Sequence, residues 1–240
     1  MTIYAIGDIH GHLAKLDAAH ERIEADRARA GTADAPLVHV GDLVDRGPDS
    51  AGVVARLAAL VERDARVHVL LGNHDAMFLE FLSKRPGRWS DAPYLSPSIG
   101  GRDTLISYGL DRALTARAMH DAAQDAVPEA HRSFLSACPR LFETEDCVFV
   151  HAGIQPGIPI ADQNPADLIW IRDPFLYDTR DHGRLIVHGH TPVARVEHHG
   201  NRLAIDTGAA WEGALSAVVI EGREAWLLTE TGRQPVARMS

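Results

Sequence analysis

The chain has 240 residues, 45% of them apolar and 24% charged, with a formal net charge of −9. That length can bury a sizeable core, and the acidic balance argues against a general nucleic-acid grip. The two cysteines, Cys138 and Cys147, form no Cys-x-x-Cys pair, so no disulfide framework is expected. No stretch approaches the ~20 apolar residues of a membrane span. A strand starts at the N-terminus and leaves no secretory leader, so a cytoplasmic protein is expected.

In chain order, residues 2–6 read as a strand that stops at Gly7-Asp8-Ile9-His10-Gly11. Alternation along an extended chain points Asp8 and His10 the same way. Residues 12–30 read as a helix stopped by Gly31. A second strand, 37–40, ends at Gly41-Asp42-Leu43-Val44-Asp45-Arg46-Gly47, and a helix follows over 50–63. A third strand, 66–71, ends at Gly72-Asn73-His74-Asp75 and leads into another helix. Strand, polar turn and helix recur three times, which predicts an α/β fold with neighbouring parallel strands.

Residues 83–134 break the pattern. Pro86, Pro93 and Pro97, with Gly87, Gly100 and Gly101, interrupt any period, and helical pieces are expected at about 111–126 and 129–137. The segment reads as a helical cap inserted into a single domain spanning 1–240. Strands return at 147–150, before His151, and at 168–172, ending in a charge. Further strands are 185–187, before His188-Gly189-His190-Thr191, and 203–205, before Asp206. A hairpin around Glu221-Gly222 closes the chain.

In open α/β sheets ligands bind at the carboxyl ends of the strands, and there the polar clusters lie. Asp8, His10, Asp42, Asn73, His151 and either His188 or His190 are oxygen and nitrogen donors without a thiolate. Such a set suits manganese, iron or zinc. Six ligands exceed what one open transition-metal site uses, and fit two ions sharing a carboxylate, an arrangement suited to phosphoester hydrolysis. A lone Gly-Asp turn is ordinary loop chemistry; five clusters, each directly after an apolar strand, are not. His39 and His68 read as core histidines, His12, His198 and His199 as solvated ones. Asp206 reads as a group orienting a metal histidine.

The five clusters resemble the signature of the calcineurin-like metallophosphoesterases, and more narrowly the bacterial phosphoprotein phosphatases. Trp170-Ile171-Arg172-Asp173 and Asp206-Thr207-Gly208-Ala209 add to that likeness. The resemblance implies an αββα sandwich of two mixed sheets flanked by helices, with a dinuclear metal site at the strand ends. It implies that Asp8 and His10 hold one metal, that Asp42 bridges, and that Asn73, His151 and His190 hold the other. Manganese is the first expectation for both ions. A hydroxide bridging them would attack phosphorus directly. His74 would protonate the leaving oxygen, Asp45 would orient His74, and Arg46, with Arg172 as a second candidate and Asn73 nearby, would bind phosphate.

The resulting expectation is a serine/threonine protein phosphatase that also accepts phosphotyrosine or small esters. The alternative is a symmetric dinucleoside-tetraphosphate hydrolase or another small-molecule phosphoesterase. Symmetric members of that class tend to carry Gly-Asp-Leu-Val-Ala-Arg-Gly and to lack Gly-His-Thr, so Asp45 and Thr191 favour the phosphatase. A non-catalytic module that kept the fold would show decayed ligands, and all six stand in place. The expected partner is therefore a phosphoprotein or small phosphoester, with no nucleic acid and no membrane.

Overall fold

The computed structural model describes residues 1–83 and 93–239. Strand β1 (Thr2–Ile6) leads to helix α1 (Leu13–Ala30), and β2 (Leu37–His39) to α2 (Ser50–Arg63). Strand β3 (Val67–Val69) leads to α3 (Asn73–Ser83). Then come α4 (Gly101–Ser107), α5 (Ala116–Ala126) and α6 (Glu129–Ala137). Strands β4 (Leu141–Glu143) and β5 (Cys147–Val150) follow, then the short α7 (Asp167–Trp170). The chain continues through β6 (Leu185–His188), β7 (Glu197–His198) and β8 (Arg202–Ala204). It closes on β9 (Ala217–Glu221), β10 (Glu224–Thr229) and β11 (Gly232–Pro235).

These strands form two mixed sheets, ordered β11-β10-β9-β1-β2-β3 and β4-β5-β6-β8-β7. Strands β1, β2 and β3 are parallel to one another, as are β5, β6 and β8; their remaining neighbours run antiparallel. Alternation sorts the side chains into layers. Ile3 and Ala5 of β1 join Phe149, Val187 and Leu203 of the opposite sheet in the core between the sheets. Tyr4 and Ile6, on the other face of β1, pack with Leu16, Ile23 and Val53 of the first two helices. Val148 and Ile186 pack outward against Leu168, Ile169 and Phe175. The result is the expected sandwich, helix-covered outside each sheet.

Helix α1 ends where expected: Gly31 adopts φ 69°, a left-handed cap that costs a residue with a Cβ far more, and donates to Arg27 O. Asp49 caps α2 by accepting from Gly52 N at 2.8 Å. Residues 168–172 depart from the expected strand. Residues 167–170 are helical, with Leu168 and Ile169 buried, because a short apolar run has no period that separates a strand from a helical turn. Helix α5 starts only at Ala116, where Thr115 accepts from Ala118 N, and α4, β4, β7 and β11 correspond to no expected element. Pro86 and Gly87 lie outside the described residues. His198 is buried rather than solvated: Nε2 donates to Arg223 O at 2.8 Å and Nδ1 accepts from Gly200 N at 3.0 Å. His12 and His199 are half-buried. Among the described residues no helix is long and apolar enough to cross a membrane.

One buried polar cluster ties the first sheet to α1. Tyr4 Oη donates to Asp26 Oδ2 at 2.8 Å, and Arg233 of β11 donates to both Asp26 oxygens. Burial would raise the Asp26 pKa, but the bonds from Arg233 and Tyr4 outweigh it and hold the carboxyl below its ordinary value. Its stabilisation is therefore complete above the unfolded carboxyl pKa of about 4. It is lost as the pH falls through the folded value. Asp26→Asn is expected to cost about 1–2 kcal/mol at pH 7. In urea unfolding the gap between wild type and variant should narrow at pH 3; a gap independent of pH would contradict the ionised pairing.

Candidate metal centre

The carboxyl ends of the six parallel strands meet at one edge of the sandwich. Hydrogen bonds join the sheets there, among them His151 Nδ1 donating to Val40 O at 2.9 Å and His190 N donating to Asp8 Oδ2 at 3.0 Å. Asp8 and His10 follow β1, Asp42, Asp45 and Arg46 follow β2, and Asn73 and His74 open α3. His151 follows β5 and His190 follows β6. The turns that deliver them are strained. Among the described residues, the non-glycine positions with left-handed backbone are His10, Asp42, Asp45, Arg46 and His190. Each costs about 1–2 kcal/mol and persists only where the surroundings over-determine it.

Two glycines are fixed by close approach. A Cβ on Gly189 would fall 1.9 Å from Asp8 Oδ1, and one on Gly72 would fall 2.2 Å from Asp42 Oδ1. Any side chain there would displace a candidate ligand.

Two sets of three candidate donors come together, His10–Asp42–His74 and Asp42–His151–His190, all buried, with donor atoms within 4.8 Å of one another. Asp42 belongs to both. Its Oδ2 lies 3.4 Å from His10 Nε2 and its Oδ1 lies 3.3 Å from His151 Nε2. Asp8 stands beside them: its Oδ2 accepts from His190 N, while its Oδ1 is buried without a hydrogen-bond partner. His190 Nε2 is likewise buried and unpartnered.

These residues fit a pair of cations. His10 Nδ1 donates to Val44 O at 2.9 Å and His151 Nδ1 to Val40 O, which fixes each tautomer and leaves Nε2 as a lone pair. His151 Nε2 faces Asn73 Oδ1 at 2.9 Å, so acceptor meets acceptor. Burial pushes the pKa of His10 and of His190 down to about 3, and neutral imidazole is the metal-binding form. The carboxylates are crowded. Burial, with Asp206 and Asp42 nearby, drives Asp8 well up, and burial raises Asp75 to about 7 and Asp206 to about 6. Burial would raise Asp42 too, but the charge that the facing imidazoles of His151, His74 and His10 carry when protonated, with the hydrogen bond from His74 N, outweighs it and holds that carboxyl low. Four acids in one dry corner favour cations among them.

His74 is gripped rather than loose. Its Nδ1 donates to Asp45 Oδ2 at 2.7 Å, and its own N donates to Asp42 Oδ1 at 3.0 Å. Burial would lower its pKa; Asp42 and the bond to Asp45 outweigh that and raise it. Asp45 Oδ1 accepts from Tyr94 Oη and Thr104 Oγ1, both at 2.7 Å. Neither partner was singled out from sequence, and both come from the stretch between α3 and α5, which thus clamps Asp45. Asp75 accepts from Gly72 N, Leu43 N and Val44 N and so pins the loop after β2. Arg46 donates from Nη1 to His10 Nε2 at 2.8 Å and from Nη2 to His74 Nε2 at 3.0 Å.

Some predicted residues fall elsewhere. His188 is two residues from His190, but the left-handed turn at His190 breaks the alternation that would align them. His188 is buried against Phe175 at 5.1 Å between ring centroids, and its Nδ1 donates to Gly189 O at 3.0 Å. Asp206 accepts from Gly208 N and neighbours Asp8 rather than a histidine. Arg172 is exposed, near enough for its charge to act on His190. His39 meets His20 in the first core, Nε2 to Nε2 at 2.9 Å, and half-buried His68 stacks on Phe142.

The family profile of calcineurin-like phosphoesterases matches residues 1–213. The asymmetrical bis(5'-nucleosyl)-tetraphosphatase PrpE of Geobacillus thermodenitrificans is 28% identical over 91% of this chain and 90% of its own. The symmetrical bis(5'-nucleosyl)-tetraphosphatase of an Acidovorax species is 32% identical over 65% of this chain and 45% of its own. The crystal structure of a cold-active protein-tyrosine phosphatase from a psychrophilic Shewanella superposes with a TM-score of 0.65 at 16% identity. It covers 98% of this chain and 80% of that one, a likeness of fold alone. The expectation of a serine/threonine protein phosphatase is corrected by the relatives: those matched over about nine-tenths of both chains carry the tetraphosphatase name. A match of this extent makes the chain a member of the calcineurin-like phosphoesterase family and a hydrolase of phosphoester bonds.

Proposed function

We propose that the chain hydrolyses dinucleoside tetraphosphates asymmetrically, to one nucleoside triphosphate and one nucleoside monophosphate. The alignment with the asymmetrical tetraphosphatase along nearly the whole of both chains carries this reading. Asp45 and Thr191 had counted only against the symmetric class, so they leave the asymmetric one open. The symmetrical relative is matched over less than half of its length.

Asp8, His10 and Asp42 would hold one divalent cation, with His74 close by, and Asp42, Asn73, His151 and His190 the other. When bound, such a pair polarises phosphate oxygens and makes water a competent nucleophile at neutral pH. Manganese is proposed for both ions, since the nitrogen and oxygen donors suit it as well as iron or zinc. Water adds to the α-phosphorus, the anhydride bond breaks, and its oxygen leaves with the triphosphate. His74, oriented by Asp45, is the group placed to hydrogen-bond that departing oxygen. Arg46 presents a planar fork, and a phosphate offers it stronger acceptors than two imidazoles. Arg172 would meet the outer phosphates from the solvent side.

Diadenosine tetraphosphate incubated with the manganese-loaded protein should yield ATP and AMP in equal amounts. In water enriched in oxygen-18 the label should enter AMP. ADP as sole product would establish the symmetric reaction instead. Turnover of a phosphoserine peptide with the dinucleotide untouched would overturn the proposal.

A further inference from the structure

Two tryptophans at the rim of the centre are left in water: Trp170 is 48% exposed and Trp211 is 55% exposed. Half-exposed indole forgoes burial that a core would reward, yet the backbone that carries each ring is held in place. Lys15 Nζ donates to the carbonyls of Ala209 at 2.8 Å, Trp211 at 3.3 Å and Gly213 at 2.8 Å. Those bonds fix the loop that carries Trp211. Trp170 ends α7, whose Leu168 and Ile169 are buried, and Leu168 O accepts from Ala152 N at 2.8 Å, one residue beyond His151.

Their positions divide the centre between them. The Arg46 guanidinium lies over the Trp211 ring, 5.0 Å from its centroid, and Arg46 donates to His10 and His74 of the first ligand set. The Trp170 ring stands edge-on to His190 of the second set, with centroids 6.2 Å apart at 84°. Asp42, common to both sets, lies between. Trp211 is also paired with the Arg46 guanidinium, and Arg172, two residues after Trp170, lies near enough for its charge to act on His190, the ring that Trp170 meets. An aromatic face and a cation on either side of a phosphate-cleaving centre match a ligand with a base at each end and anions in the middle.

We propose that Trp170 and Trp211 are the stacking platforms for the two nucleobases of a dinucleoside polyphosphate, one on each side of the metal centre. This rests on the tetraphosphatase reading. Stacking tolerates any base but gains with the size of its π-face, so purine dinucleotides should be preferred to pyrimidine ones. Arg46 takes one face of Trp211 and leaves the other for a base.

The test compares Trp170→Ala and Trp211→Ala on diadenosine tetraphosphate and on inorganic tripolyphosphate, which has the anhydrides without the bases. Each variant should lose about tenfold or more in kcat/KM on the dinucleotide relative to tripolyphosphate, mainly through KM. Phe at either position should restore much of it. Equal losses on both substrates would mean that the indole only supports its arginine, and would overturn the proposal. A second measurement needs no turnover: AMP should quench the tryptophan emission of the wild type, and less so in Trp170→Phe and Trp211→Phe. Identical quenching in all three would also overturn it. Should the wild type cleave tripolyphosphate but not the dinucleotide, the tetraphosphatase reading fails, while AMP quenching still decides whether the rings stack on bases.

Discussion

Asp42→Asn is expected to release both metal ions and to slow hydrolysis of diadenosine tetraphosphate by on the order of 10³ or more. Its two oxygens lie 3.4 Å and 3.3 Å from imidazole nitrogens of different ligand sets, so one substitution removes a charge from both. Asparagine keeps the volume and can still accept from His74 N, and the fold should survive. Saturating manganese should raise the melting temperature of the wild type, since a ligand at a hundred times its Kd adds about 2.7 kcal/mol. The variant should gain little. Metal analysis with thermal melts in EDTA and in manganese checks this; full metal content at full rate would refute the shared carboxylate.

The place of Asp42 at a strand end, within reach of both candidate donor sets, was legible because its signal is local. A metal ligand on the first turn after a parallel strand needs only a strand, a glycine and a donor, all within about ten residues. Asp8, His10, Asn73 and His151 were singled out in the same way, whereas the spacing left His188 and His190 open and the family resemblance selected His190. The grip on Asp45 was not: Tyr94 and Thr104 lie 49 and 59 residues away along the chain, in a segment without a period. His198 was misjudged for a related reason, since a polar turn reads as solvated until Arg223 O closes over it. Residues 168–172 were read as a strand because four apolar side chains suit either element. The choice between a phosphoserine and a dinucleotide was beyond the five clusters, which describe how a P–O bond is broken and not what hangs from the phosphorus. On the proposed reading that information would lie in groups such as Trp170, Trp211 and Arg172, which belong to neither candidate ligand set.

His74→Asn separates the two kinds of bond. It should leave both metals bound, because His10, Asp42 and Asp8 remain at one position and the second set is untouched. The rate should nonetheless fall, since positioned general acids contribute about 10²–10⁴-fold. Where in that range depends on the leaving group. A triphosphate departs as a stabilised anion and needs little proton donation, whereas an alkoxide needs a full proton. The variant should therefore lose about 10²-fold on diadenosine tetraphosphate and nearer 10⁴-fold on an alkyl phosphate. Asp45→Asn should follow the same pattern more mildly, because it leaves the imidazole in place but removes the carboxylate whose Oδ2 accepts from His74 Nδ1 at 2.7 Å. Parallel rate measurements on the two substrates, with metal content determined on the same samples, decide the matter. Equal losses on both would show that His74 acts on the phosphoryl oxygens rather than on the departing one, and loss of metal would show that it is a ligand instead.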